Sequence, residues 1–91
     1  MSDVRRRVVV TGRVQGVFFR DTCQRVASGL GVQGWVRNRG DGAVELVAEG
    51  PADRVAQLVD WCREGPPRAH VAGIDVSDEP PAGERGFRVR Y

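Results

Sequence analysis

The sequence predicts a two-layer α+β sandwich: an antiparallel sheet carrying two helices on one face. Three observations lead there. The chain has 91 residues, of which 41% are hydrophobic and 29% charged, enough for one modest core. Glycines and prolines divide it into short segments. The apolar spacing within those segments switches between a period of two and a helical period.

Taken in order, Arg6 to Thr11 read as a β-branched strand ended by Gly12. From Phe19 the spacing becomes helical: Phe19, Cys23, Val26, Ala27 and Leu30 share one face, while Asp21, Gln24, Arg25 and Ser28 point away. Gly31 is the expected C-terminal stop. Gly34 to Asn38 form a second strand, with Trp35 and Arg37 on one face and Val36 and Asn38 on the other. Arg39-Gly40-Asp41-Gly42 is a hairpin turn, followed by a strand from Ala43 to Glu49. In that strand Val44, Leu46 and Ala48 face in, and Glu45 and Glu49 face out. Gly50-Pro51 opens a second helix, whose buried stripe is Val55, Leu58, Val59 and Cys62 and which Gly65-Pro66-Pro67 breaks. A fourth strand is expected from Ala69 to Val76, and a short closing strand where Phe87, Val89 and Tyr91 alternate with Arg88 and Arg90. The order β-α-β-β-α-β is the split βαβ, or ferredoxin-like, arrangement, here as one domain over residues 1–91.

Composition removes several function classes. The longest apolar runs, Val8-Val9-Val10 and Val17-Phe18-Phe19, fall far short of the roughly 20 residues that cross a bilayer. Arg5-Arg6-Arg7 is followed by a strand-like stretch and not by the apolar region of a signal peptide, so a cytoplasmic chain is expected. The net charge of +2 is low for a dedicated nucleic-acid binder. An RNA-recognition domain shares the coarse element order, but its sheet needs stacking aromatics on the central strands, and the first and third strands have none. The three arginines near the start read as a solvated terminus. Cys23, Cys62 and a single histidine, His70, do not make a zinc site, which needs about four ligands. The two cysteines are expected in the core, close to each other; whether they pair is open.

The informative segment is Gly12-Arg13-Val14-Gln15-Gly16-Val17-Phe18-Phe19-Arg20, between a strand and a helix. Successive backbone N–H groups in such a bend converge into an anion-binding nest, and the helix adds its own free N–H groups. Arg20 falls in the first turn, where the helix dipole disfavours a cation. A bound phosphate reverses that local balance, and a guanidinium grips it by two oxygens. The spacing is neither GxxxxGK[ST] nor GxGxxG. A tight turn with a solvated arginine fits these residues as well. Asn38 is similarly two-sided: it either shapes the hairpin through its own backbone or holds a water beside a phosphate at the neighbouring loop.

At these residues the chain resembles the acylphosphatase family. Gly12-x-Val14-Gln15-Gly16-Val17-x-Phe19-Arg20 matches that family's phosphate loop, and Gly34-Trp35-Val36-Arg37-Asn38 its second motif. Gly50-Pro51, Val55, Trp61 and the tail from Phe87 to Tyr91 extend the similarity over nearly the whole chain; Gly65 to Arg68 is the least similar stretch. The resemblance implies hydrolysis of an acyl phosphate to carboxylate and inorganic phosphate with neither metal nor cofactor. It implies that Arg20 and the loop from Gln15 through Gly16, Val17, Phe18 and Phe19 bind the phosphoryl group, and that Asn38 orients the attacking water. Its implied partners are a small-molecule acyl phosphate and inorganic phosphate, as product or competitive inhibitor, with no nucleic acid and no membrane. A monomer is the default for such a domain. The alternatives are His70 as general base, a small-molecule regulatory domain, and a degenerate relative that binds phosphate without turnover.

Overall fold

A computed structural model describes residues 3–91. Five strands and two helices follow in the order β1 (Asp3–Arg13), α1 (Phe19–Leu30), β2 (Gln33–Asn38), β3 (Val44–Pro51), α2 (Ala52–Glu64), β4 (His70–Glu79) and β5 (Phe87–Arg90). The sheet order is β4-β1-β3-β2-β5. The four longer strands pair antiparallel, as expected, whereas β5 lies parallel to β2, placing Gly34 beside Phe87 and Val36 beside Val89. The sheet is therefore mixed. The long return through the loop at residues 80–86 brings the chain back to the far edge in the same direction as β2.

Alternation along the strands decides the core. Val8, Val10, Val36, Val44, Leu46 and Ala48 point to one face, where they meet Phe19, Cys23 and Ala27 of α1 and Val55, Leu58 and Cys62 of α2. Burial of these side chains contributes on the order of 1.5–3 kcal/mol for each large one. Helix α1 ends as expected on Gly31 in the left-handed region, whose N–H is donated to the carbonyls of Ala27 and Ser28. Pro51 sits one position earlier than a first-turn proline: it closes β3 and flanks the start of α2. Cys23 and Cys62 are both buried free thiols and are neighbours in the core, as expected. Burial, then the hydrogen bond with Cys62, pushes the Cys23 thiol well above its ordinary range.

The opposite face of the sheet departs from expectation. Arg5, Arg6 and Arg7 are not a solvated terminus but lie within β1, with Arg5 and Arg7 on this face and Arg6 on the other, paired with Asp78 at 2.9 Å. Arg5 reaches Glu49, Glu79 and Glu84 at 3.0, 3.0 and 2.9 Å, and Arg7 pairs with Glu79 at 2.6 Å and with Glu45. Arg37 also holds Glu45, at 2.8 Å. Glu45 and Glu49 do face away from the helices, yet they are only 7% and 4% exposed. The Glu49 carboxylate additionally accepts the backbone N–H groups of Ala82, Gly83 and Glu84, which ties the loop at 80–86 across this face. Trp35 lies between the guanidinium groups of Arg7 and Arg90, 5.6 and 4.6 Å from its ring centroid.

The candidate active site

The site forms where β1 hands over to α1, beside the end of β2. The strand continues through Gly12, with a shift of register against β4 between Thr11 and Gly12. The chain then turns through Gly16, at φ 73°, and Phe18, at φ 66° and ψ 27°, before α1 begins. Gly16 occupies the left-handed region at little cost. Phe18 is the only non-glycine residue at positive φ among the described residues. Val17 lies between these two left-handed residues, and α1 begins directly after the second. The loop is held from below by Val14 and Val17, both in the core, and by Phe19, whose ring meets Trp61 of α2 at 5.1 Å. Gly65 lies against that ring: a Cβ there would come within 2.8 Å of Phe19.

Arg20 is the second residue of α1, and Asn38 the last of β2. Both line one pocket of about 280 Å³, together with Val14, Gly16, Phe18, Phe19, Asp21 and Tyr91. The expected approach of Asn38 to the loop is thus found. The hairpin after Asn38 is shaped by other groups: the Asp41 carboxylate accepts the Ala43 N–H at 3.0 Å, and Gln15 Nε2 donates to the carbonyls of Arg39 and Ala43 at 2.8 and 3.0 Å. The Ala43 N–H, with Arg39 nearby, holds the Asp41 carboxyl below its ordinary value.

The other proposed site residues divide by what their side chains do. Those of Val17 and Phe19 belong to the core, and of these two only Phe19 also lines the pocket; Gln15 does not line it, its side chain bracing the hairpin instead. His70 opens β4 and lines a different hollow, with Arg63, Glu64 and Pro66. Tyr91 was not anticipated at the site. Its ring centroid lies 4.8 Å from the Arg20 guanidinium carbon. No local sequence signal marks it: the parallel register of β5 on β2, seen only in the fold, carries the tail toward the end of β2 that bears Asn38.

The pocket thus offers a cation and left-handed turns at a helix N-terminus, with an amide side chain opposite. That set suits a tetrahedral oxyanion and a polar nucleophile beside it.

Comparison with known proteins agrees with this geometry. The family model described as Acylphosphatase matches residues 6–89. An acylphosphatase of Rubrobacter xylanophilus is 60% identical over 87 residues, covering 94% of this chain and 79% of the relative. The solved acylphosphatase structure from Coxiella burnetii superposes with a TM-score of 0.94 at 40% identity, covering 98% of this chain and 94% of that one. The Bacillus subtilis acylphosphatase gives 0.93 at 38% identity, over 97% of this chain and 99% of the other. A match spanning the loop, the asparagine strand and both helices leaves one assignment: the chain belongs to the acylphosphatase family.

Proposed function

We propose that Arg20, with the backbone amides from Gln15 to Phe19, holds the phosphoryl group of an acyl phosphate while Asn38 orients the water that attacks it. Family membership makes the chain an acyl phosphate hydrolase, and nothing in the comparisons favours a binding-only relative. The observation carrying the residue roles is the convergence of Arg20 and Asn38, from α1 and β2, on the pocket that Gly16 lines.

Phosphoryl transfer asks chiefly for positioning and electrostatic stabilisation. The amides and the guanidinium stabilise charge on the three equatorial oxygens. Water forms the new P–O bond as the P–O bond to the acyl oxygen breaks. The carboxylate departs with that electron pair; one proton of the water stays on the attacking oxygen and the other passes to a phosphoryl oxygen, giving dihydrogen phosphate. A carboxylate is a good leaving group, so no strong general acid is required. An amide is a weak base; the role proposed for Asn38 is to fix the water by accepting and donating hydrogen bonds. Inorganic phosphate, sharing the bound head, acts as a competitive inhibitor. We further propose that residues 1–91 act as a single acylphosphatase-like domain, monomeric and cytoplasmic, without metal or cofactor. No helix among the described residues is long and apolar enough to cross a membrane.

The experiment is benzoyl phosphate hydrolysis at neutral pH in EDTA, with Arg20→Ala alongside and spontaneous decay subtracted. Turnover by the parent and its loss in the variant are expected. A folded parent that fails to exceed spontaneous decay would overturn the proposal.

A further inference from the structure

Among the described residues, three large hydrophobic side chains stand exposed: Phe18 at 64%, Val76 at 42% and Tyr91 at 96%. Val76 is isolated on edge strand β4, as single surface hydrophobics often are. Phe18 and Tyr91 line the same pocket as Arg20 and Asn38.

Neither aromatic is explained by folding. Phe18 adopts φ 66°, a region that bulky side chains seldom occupy. It flanks the start of α1 without a side-chain capping bond, at a position favouring Ser, Thr, Asp or Asn. The packing role in this loop falls to its neighbour Phe19, which is buried. Backbone held in a sparsely populated region, presenting an apolar ring to water beside a polar site, is a feature that ligand sites retain. The ring of Tyr91 stands against the Arg20 guanidinium, an attraction that orients it beside the group assigned to the phosphate.

An acyl phosphate has two unlike ends. With its dianionic head on Arg20 and the loop amides, as the proposed function requires, its acyl group must extend away from those polar groups. We propose that Phe18 and Tyr91 form the acyl subsite and select a planar apolar acyl group over a small one. The inference rests on the proposed phosphate site and adds the substrate class that this site prefers. Aromatic faces hold a planar ring by burial and by offset or edge contacts, and an acetyl group has too little surface to benefit equally.

The test compares kcat/KM for benzoyl phosphate with that for acetyl phosphate in the parent, Tyr91→Ala, Tyr91→Phe and Phe18→Gly. Glycine at 18 accepts the positive φ, and residue 91 is exposed, so these variants should fold. The benzoyl-to-acetyl ratio is expected to fall by roughly three- to tenfold in Tyr91→Ala and in Phe18→Gly, and to be restored in Tyr91→Phe. Equal losses on both substrates would overturn the acyl subsite and leave Tyr91 as a positioning partner of Arg20. A ratio indifferent to both deletions would overturn it too, with the hydrolase reading intact. A parent that hydrolyses neither substrate would overturn that underlying reading as well.

Discussion

Gln15 Nε2 donates to the carbonyl of Arg39 at 2.8 Å, fastening the loop that precedes Arg20 to the residue that follows Asn38. A second bond from the same nitrogen reaches the Ala43 carbonyl at 3.0 Å. One side chain thereby sets the spacing between the two halves of the site. Gln15→Ala is expected to lower stability by about 1–2 kcal/mol and kcat/KM for benzoyl phosphate several-fold. Urea unfolding with steady-state kinetics on the same preparation checks both. Kinetics unaltered in this variant would remove the brace from the account.

The proposed roles of Arg20 and Asn38 separate on one assay. Arg20→Ala should lose inhibition by inorganic phosphate together with turnover. Asn38→Ala should lower kcat by about 10²-fold or more, the scale for removing one positioned donor, while phosphate still inhibits. Competitive inhibition measured across both variants decides the matter, and parallel loss of phosphate binding would defeat the division.

Gly16 separates backbone geometry from space. At φ 73° it has nothing within 4 Å of where a Cβ would lie. An alanine there meets no neighbour and costs only its left-handed backbone, roughly 1–2 kcal/mol. Gly16→Ala should therefore weaken phosphate inhibition through a displaced loop, and Gly16→Asn, which tolerates that region better, should weaken it less. Unchanged inhibition by phosphate in Gly16→Ala would sink the prediction.

Much of this arrangement is legible in the sequence, because the two helices and strands β1 to β3 each turn an apolar set toward the core. The stop at Gly31 and the inward set of Val44, Leu46 and Ala48 follow from local chemistry. What the local pattern hides depends on distant partners. Arg5 and Arg7 resemble a solvated tail until the register sets Arg5 opposite Glu49 and Glu79. Likewise, four alternating residues from Phe87 give no direction of pairing, so neither the parallel seat of β5 nor the place of Tyr91 beside Arg20 could be read locally. At the site, Arg20 and Asn38 were legible by type and position. The bracing side chain of Gln15 was not, since its partners are backbone carbonyls of a turn.

The charged face of the sheet makes stability sensitive to acid. Burial pushes the Glu49 carboxyl up, but the Ala82 N–H, Arg5 and the Gly83 and Glu84 N–H groups outweigh it and leave it lowered. Glu45, raised by burial, is likewise brought below its ordinary value by Arg37 and Arg7. Glu79 is lowered by Arg7 and Arg5. A carboxyl lowered on folding stabilises fully above its unfolded pKa, here 4.5, and that contribution fades as pH falls through the folded value. Urea midpoints should therefore hold between pH 7 and about 5.5 and drop by pH 3. Arg5→Ala, which strips one guanidinium from three acids, should cost about 3 kcal/mol at neutral pH and shrink the acid-dependent loss. A parent equally stable at pH 7 and pH 3 would contradict this.

The interior position of β1, between β4 and β3, also bears on how the chain reaches this state. Its hydrogen-bonded neighbours are β3 and β4, so Arg5 must find Glu49 and Glu79, partners 44 and 74 positions away. No hairpin joins β1 to either strand, and the entropy of closing those long loops is spent before the middle of the sheet exists. Refolding should accordingly run on the order of milliseconds to seconds, with the β2–β3 hairpin able to form early and the docking of β1 setting the pace. Stopped-flow fluorescence of Trp35, on the strand beside β3, and of Trp61, on α2, would follow the two events.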